Sequence, residues 1–418
     1  MLVANRLGVL SFANLPLVFL YAGRNNLLLW MTNWSHSTFI LLHRWVAAIA
    51  TLQAMLHSLT YLYAYVKAGK HAAESKLPYW YWGIIGTLGM AILFPTSASP
   101  IRRKAYEFFL AWHIIISILV VAGCYWHIVF EFQHSWGYET WIIVTMVIWA
   151  FDRVARLLRV ARTGVKNAKI TIIDDEYMKV TIPWLVTDGI VYLYFPTLTW
   201  RIWENHPFSV ASTMLPVSSP VQIRHKASSA QEQDDIEKHP ETHSASARCD
   251  DHSLTQRRFR TDTTFYIRSK TGLTASLRRR SALLVLIEAG YHSHSVSSLA
   301  SSPTLVIIVG GVGITAVLPH LRAHTGRVKV YWGCRTYALI EDVKATGALD
   351  YVEVETFVRE RMCIKDILAT ELTRESGEIA VLISGPEDMT SEVRNTVGQI
   401  VRQGTGIVAK LFVESFGW

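Results

Sequence analysis

The chain has 418 residues, half of them hydrophobic, with 15 Trp and a formal net charge of +8. That length fits two or three domains. The basic balance comes without a nucleic-acid motif, and the four cysteines form neither a disulfide framework nor a CxxC metal pattern, which excludes those classes of partner and site.

The apolar residues are unevenly spread. Residues 1 to about 158 are mostly apolar, and the rest alternates as a soluble protein does. A membrane span needs about 20 mainly apolar residues. Five segments are predicted as spans: about 7–23, 38–66, 79–96, 106–130 and 138–158. They define an α-helical membrane domain over residues 1–160. The opening MLVANRLGVLSF lacks a charged n-region followed by a cleavage site.

Two of these segments carry matched histidines. His43 and His57 are 14 residues apart, and so are His113 and His127. Fourteen residues make almost four turns of 3.6, so each pair shares one helix face, its members roughly 21 Å apart along the axis. A single His in an apolar helix is usually a hydrogen-bonded core residue. Four, equally spaced on two helices, are harder to dismiss, because ionisable groups at membrane depth are costly and tend to be functional. The spacing suits two metal groups at two depths, with His43 facing His113 and His57 facing His127. This needs parallel helices, and one span separates the two. Haem iron fits such paired imidazoles. Trp45 and Trp112 lie beside these histidines and read first as packing residues, while His71 and His134 read as solvated loop residues.

Orientation follows from Lys and Arg. Arg24, the run Arg102, Arg103, Lys104, and the series Arg153, Arg156, Arg159, Arg162, Lys166, Lys169 fall on one side, which is expected to be cytosolic. Lys67, Lys70 and Lys76 oppose that orientation but are fewer. His43 and His113 then belong to the inner level, His57 and His127 to the outer one.

Residues 168–290 read as short alternating strands of a β-barrel: KITIID, YMKVTIP, GIVYLYFP, TFYIRSK and ALLVLIE. Residues 216–262 interrupt them with a polar, nearly aromatic-free stretch expected to be a disordered loop. From 303 to 418 the pattern becomes strand, helix, strand, an α/β nucleotide-binding arrangement. The strand TLVIIVG runs into GGVGIT and a helix. Gly310, Gly311 and Gly313 would let the backbone approach a pyrophosphate at the helix N-terminus, beside Ile314 and Thr315. The next strand ends in WGCR. Arg335 there suits a 2′-phosphate, hence NADPH rather than NADH.

Together with the histidine pattern, FANLPLVFLYAGRNN, LLHRWVAAIATLQAMLHS, HPFSVAS, GGVGIT, SGPEDM and the terminal ESFGW resemble the signatures of fungal-type ferric reductases. These belong to the transmembrane flavocytochrome family, related to the NADPH oxidases. The resemblance covers nearly the whole chain outside 216–262. It implies two haem b groups on His43, His57, His113 and His127, with FAD and NADPH on the soluble half, a ferredoxin-reductase-like pair of domains. It implies that His206, Pro207, Phe208 and Ser209 line the isoalloxazine and ribityl part of FAD. Arg268, Gly272 and Thr274 would lie near its pyrophosphate. Ser384, Gly385 and Pro386 would form the turn beside the nicotinamide. Glu414 and Phe416 resemble the tail whose aromatic ring covers the flavin.

Three departures stand out. The family usually carries a further N-terminal portion with at least one more span, which this sequence does not show. The family's EGPYG turn reads Glu288, Ala289, Gly290, Tyr291, His292. The cysteine common before the Gly-Pro turn is Ser384. The expected activity is NADPH-dependent reduction of Fe(III), or of Cu(II), across the membrane. Its expected partners are ferric or cupric ions or their chelates and siderophores, membrane lipid, and a downstream iron-uptake oxidase or permease. The plasma membrane is the expected site, the vacuolar membrane the other candidate. Two readings stay beside it: an NADPH oxidase reducing O2 to superoxide, and a non-enzymatic membrane haem protein with a degenerate reductase half.

Overall fold

The computed structural model describes residues 2–32, 34–198, 201–213, 262–270, 272–291, 299, 302–374, 378–403 and 408–414. The expected loop over 216–262 lies outside the described residues except for its last one.

Five long helices occupy the predicted spans: α1 (Leu2–Ala22), α2 (His36–Lys67), α3 (Pro78–Thr96), α4 (Tyr106–Phe132) and α5 (Thr140–Thr163). Local chemistry sets their ends. Ser35 caps α2 by accepting the Thr38 N–H at 3.3 Å. Pro78 opens α3 where its missing N–H costs nothing. Gly164, at φ +70°, closes α5. By length and apolar composition, α1, α2 and α4 are able to cross a membrane. The other two expected spans do not meet that measure. Trp, Tyr and Gly dilute α3, and the second half of α5 carries Asp152, Arg153, Arg156, Arg159 and Arg162. Large apolar side chains such as Leu59, Ile115 and Phe151 point outward, as suits a chain integral to a membrane.

Helix α1 packs on α2, and α3 on α4. The second contact is backbone on backbone: a Cβ on Gly123 would sit 2.7 Å from the Gly86 nitrogen, and one on Gly89 would sit 2.6 Å from Val120 Cγ2. Lipid gives helices little hydrophobic reason to associate, so small residues that permit close approach hold them together.

The soluble part has two sheets. The first contains β1 (Val165–Ile172), β2 (Tyr177–Pro183), β3 (Ile190–Tyr194), β4 (Asn205–Ser209), β5 (Ser212–Thr213), β6 (Asp262–Arg268) and β7 (Ala282–Tyr291). It is antiparallel, in the order β4-β3-β7-β1-β2-β6-β5. Two residues join its two edge strands. Val210 N–H donates to Gly189 O (3.0 Å) and Ala211 N–H to Thr264 O (2.9 Å), which curls the sheet toward a barrel around Val180, Leu193, Phe265 and Ile287.

The second sheet is parallel: β8 (Thr304–Gly310), β9 (Arg327–Cys334), β10 (Glu353–Val358), β11 (Glu378–Ser384) and β12 (Val408–Val413), in the order β10-β9-β8-β11-β12. The helices α6 (Ile314–Ala323), α7 (Tyr337–Lys344), α8 (Ile364–Arg374) and α9 (Glu387–Arg402) connect its strands. Alternation in β8 sends Leu305, Ile307 and Val309 to one core and Val306 and Ile308 to the other, as expected of a sheet covered on both faces. Tyr177 and Tyr266 from the first sheet enter the core of the second.

Candidate electron-transfer sites and the seam between them

The four membrane histidines come together in the two pairs that spacing predicted. The His43 and His113 ring centroids are 6.3 Å apart, and so are those of His57 and His127. A metal ion between two imidazoles, with each nitrogen about 2 Å away, puts the centroids about 6 Å apart. Each ring is held by its Nδ1. His43 Nδ1 bonds Val18 O (2.9 Å), His57 Nδ1 bonds Ala4 O (2.8 Å) and His127 Nδ1 bonds Tyr79 O (2.8 Å). His113 Nδ1 pairs with Ser97 Oγ at 3.3 Å. An Nδ1–H given to a carbonyl leaves Nε2 with its lone pair for a metal.

Sequence reasoning missed what makes those anchors reachable. In a helix the carbonyl of residue i bonds the N–H of i+4, and a side chain at i+4 would block a second donor. Ala4 and Tyr79 are each followed four residues later by glycine. A Cβ on Gly8 would lie 2.7 Å from His57 Nδ1, and one on Gly83 would lie 2.7 Å from His127 Nδ1. The stripe Gly83, Gly86, Gly89 was visible in the sequence and is the signal that could have pointed there. Trp45 is 65% exposed, on the outside of the bundle. His134 Nδ1 sits 3.0 Å from Glu139, and His71 stacks edge-on to Trp80.

One open cavity of about 2580 Å³ reaches from His43 and His113 to Tyr192, Tyr194, Pro207, Gly290 and Tyr291 of the first sheet, and on to Gly385, Pro386 and Glu414. A single ligand pocket is about 300–1,000 Å³, so this one has room for more than one large group. His206, Pro207, Phe208 and Ser209 form β4, where His206 Nε2 lies 3.1 Å from Glu204. Glu107 from α4 joins Glu204 and His206, with ligand atoms within 4.8 Å of one another. Arg201 already lies 3.1 Å from Glu204.

The glycine turn packs against the other end of this cavity. A Cβ on Gly313 would lie 2.5 Å from Ser384 O, and one on Gly310 would lie 3.0 Å from Pro386 Cδ. Ile314 and Thr315 are buried at the start of α6, and Ser384 is buried behind the turn. Glu414 N–H donates to Ile383 O (2.9 Å), and its carboxylate stands 3.7 Å from buried His320. Phe416 lies outside the described residues.

Arg268 and Arg335, read separately from the sequence, meet on one carboxylate. Glu176 accepts from Arg268 Nε (2.9 Å) and from Arg335 Nη1 (3.1 Å). Burial pushes the Glu176 carboxyl up, but the two guanidinium groups bring it below its ordinary value. Thr274 Oγ1 accepts the Lys270 N–H (2.9 Å), next to Gly272 at φ +73°. Arg268, Gly272 and Thr274 do not line the large cavity.

The seam between bundle and barrel centres on Glu288, fully buried. It accepts from Arg24 Nη1 (3.1 Å), Arg156 Nε (3.1 Å), Tyr194 OH (2.5 Å) and Tyr291 OH (2.5 Å). Burial pushes its carboxyl up, and the Arg24 and Arg156 charges with the two tyrosine hydroxyls outweigh that and hold it below the ordinary range.

Residues 7–124 match the family model described as the ferric reductase like transmembrane component. The chain is similar to ferric/cupric reductase transmembrane component 1 of Candida albicans, 34% identical over 220 residues, which are 51% of this chain and 28% of that protein. It is similar to ferric reductase transmembrane component 4 of Saccharomyces cerevisiae, 34% identical over 216 residues, 50% of this chain and 29% of that one. The chain thus matches less than a third of the length of these relatives. Among solved structures, the ferredoxin reductase of carbazole 1,9a-dioxygenase aligns with 60% of this chain and 67% of its own at 15% identity and a TM-score of 0.36.

Proposed function

We propose that this chain carries electrons across a membrane, from NADPH on the side of the soluble domains to a ferric or cupric ion, free or chelated, on the other. The observation that carries the reading is the doubled histidine pair, each at 6.3 Å between rings and each ring tied by Nδ1. The family-model match over residues 7–124 and the named fungal relatives support it. His43 with His113, and His57 with His127, would each hold one haem b. When bound, a flavin would supply the change from a two-electron hydride to single electrons, and iron held by the paired imidazoles would supply one-electron transfer.

The protein's own work is to position. The carbonyls of Val18, Ala4 and Tyr79 fix the imidazole tautomers and aim Nε2 between the helices. Pro207, with Tyr192 and Tyr194, would receive FAD over the cavity that leads to His43 and His113; His206, Phe208 and Ser209 share its strand without lining that cavity, and Phe208 packs on the barrel core. Gly310, Gly311, Gly313, Gly385 and Pro386 would receive NADPH, with Arg335 turned from Glu176 to the 2′-phosphate. One NADPH would then reduce two metal ions and release one proton. The soluble side is read as cytosolic from the Arg-rich α5, and the membrane as the plasma membrane.

The test is NADPH-driven reduction of a ferric chelate by membranes containing this chain, with and without oxygen and superoxide dismutase. Reduction that persists without oxygen and ignores the dismutase supports direct metal reduction. Reduction that vanishes under either condition makes superoxide the carrier and replaces this reading with an oxidase. In the same membranes, Arg335→Ala should raise KM for NADPH about tenfold, the loss of one charge-assisted contact of about 1.5 kcal/mol, and leave KM for NADH within twofold. Equal changes for both would remove the 2′-phosphate role.

A further inference from the structure

We propose that in this chain the segment Glu288–Tyr291 is a docking key: it positions the β-barrel on the membrane bundle, and its Ala289-Gly290 step is what lets it do so. This rests on the electron-transfer reading for its consequence, though not for its geometry.

Four features argue for it. The key lies on β7 while its donors lie on the bundle: Arg24 follows α1, and Arg156 and Arg159 are on α5. The carboxylate of Glu288 is saturated by two guanidinium groups and two phenols, so it has been turned to the seam and not to solvent. Arg159 Nη1 donates to two adjacent carbonyls, Ala289 O (3.1 Å) and Gly290 O (3.0 Å), and its guanidinium stands 4.7 Å over the Tyr291 ring. Arg24 repeats the arrangement, 3.4 Å over the Tyr192 ring while bonding Asn205 Oδ1 at 2.7 Å.

The fourth feature is the glycine of the step itself. Gly290 has φ +88°, and a Cβ there would lie 2.6 Å from Arg159 Nη1. An L side chain is strained at this φ, and its Cβ would meet the guanidinium. Glycine here is what admits an arginine from the membrane helix. The cavity beside His43 and His113 is bounded by the same residues, Arg24, Arg156, Arg159, Gly290 and Tyr291. Holding the seam thus sets how near the barrel's ligand stands to the inner histidine pair.

The experiment uses the full chain in lipid nanodiscs. Hydrogen exchange is followed over 150–163 and 282–291 for the parent, Glu288→Gln, Gly290→Ala, Arg159→Ala and the double variant Gly290→Ala/Arg159→Ala. Haem and flavin content and the rate of haem reduction by NADPH are read on the same samples. Expected are a tenfold or greater loss of protection at both segments together in Glu288→Gln, with haem reduction slowed at least tenfold while haem remains bound. Gly290→Ala should disturb the seam more in the parent than in the Arg159→Ala background, where the clash is gone. Unchanged protection in Glu288→Gln, or strictly additive effects of the two substitutions, overturns the docking key. Should the parent bind neither haem nor flavin, the electron-transfer reading fails, and the exchange data still decide the docking key alone.

Discussion

The two histidine pairs have the same ring separation and different supports. At the pair farther from the soluble half, the outer one in the proposed orientation, both Nδ1 atoms bond main-chain carbonyls at 2.8 Å, and both anchoring helices place a glycine against the ring. At the inner pair one ring has a carbonyl at 2.9 Å and the other a serine hydroxyl at 3.3 Å, and the whole site opens into the cavity shared with the soluble half. The outer site is built into rigid helix backbone. The inner one depends on a side chain and on a seam between domains. Under the proposed function, a carrier that passes electrons on at a fixed place and receives them from a docked domain would divide rigidity in this way.

Removing one of the paired histidines, the proposed haem ligands, should have the largest effect. His57→Ala or His127→Ala is expected to halve the haem content and to lower transmembrane chelate reduction about 100-fold or more, since loss of a supporting residue alone costs about 10–100-fold. Haem quantified by pyridine haemochrome checks the first, and chelate reduction in sealed vesicles the second. Full haem content in His57→Ala would remove the pairing. Next in size is Gly83→Val. Its branched side chain must displace His127 from Tyr79 O, so outer-haem affinity should fall about 10–100-fold while the inner haem stays bound. A spectrum in which both haems weaken equally would mean that the glycine only packs helices.

How much of this could be read from the sequence depends on how local the pattern is. The helix bounds were legible because an apolar run is its own signal: α2 extends its expected span by two residues at the start and one at the end, and α4 starts where expected and runs two residues further. The histidine pairs were legible because a repeat of 14 fixes a face. The anchoring carbonyls were marked only indirectly, by the glycines four residues after Ala4 and Tyr79, because a main-chain atom has no residue identity of its own. The seam was hidden for another reason. Arg24 and Glu288 are 264 residues apart, and Arg156 and Glu288 are 132 apart. In the sequence these arginines read as markers of membrane orientation, and Glu288 as part of an imperfect cofactor turn. Arg268 and Arg335 likewise read as separate phosphate contacts and meet on Glu176.

Acid should separate the two pairs. The Glu288 carboxyl lies below its ordinary value in the folded chain. Its contribution is therefore fully present above the unfolded carboxylate value of about 4.3 and is lost as pH falls through the lower folded value. From pH 8 to 5 the seam should hold. Below about pH 4 the inner haem's environment should change before the outer one's, as read by the two components of the reduced spectrum. Glu288→Gln should lack this acid step, and the same step in that variant would assign it to another group.

The smallest effect is expected at Ser97. Its hydroxyl pairs with His113 Nδ1 at a length where a hydrogen bond is weak. Water can replace it at a site that opens into the cavity. Ser97→Ala should therefore lower inner-haem affinity only a few-fold, or about 1 kcal/mol, against the far larger cost of Gly83→Val at the outer pair. The two substitutions act on equivalent Nδ1 atoms, so the ratio of their effects measures how much rigidity the outer site has and the inner one lacks. Equal losses would mean that the inner ring is held by something other than Ser97, and the contrast between a backbone-built and a side-chain-built site would fall with it.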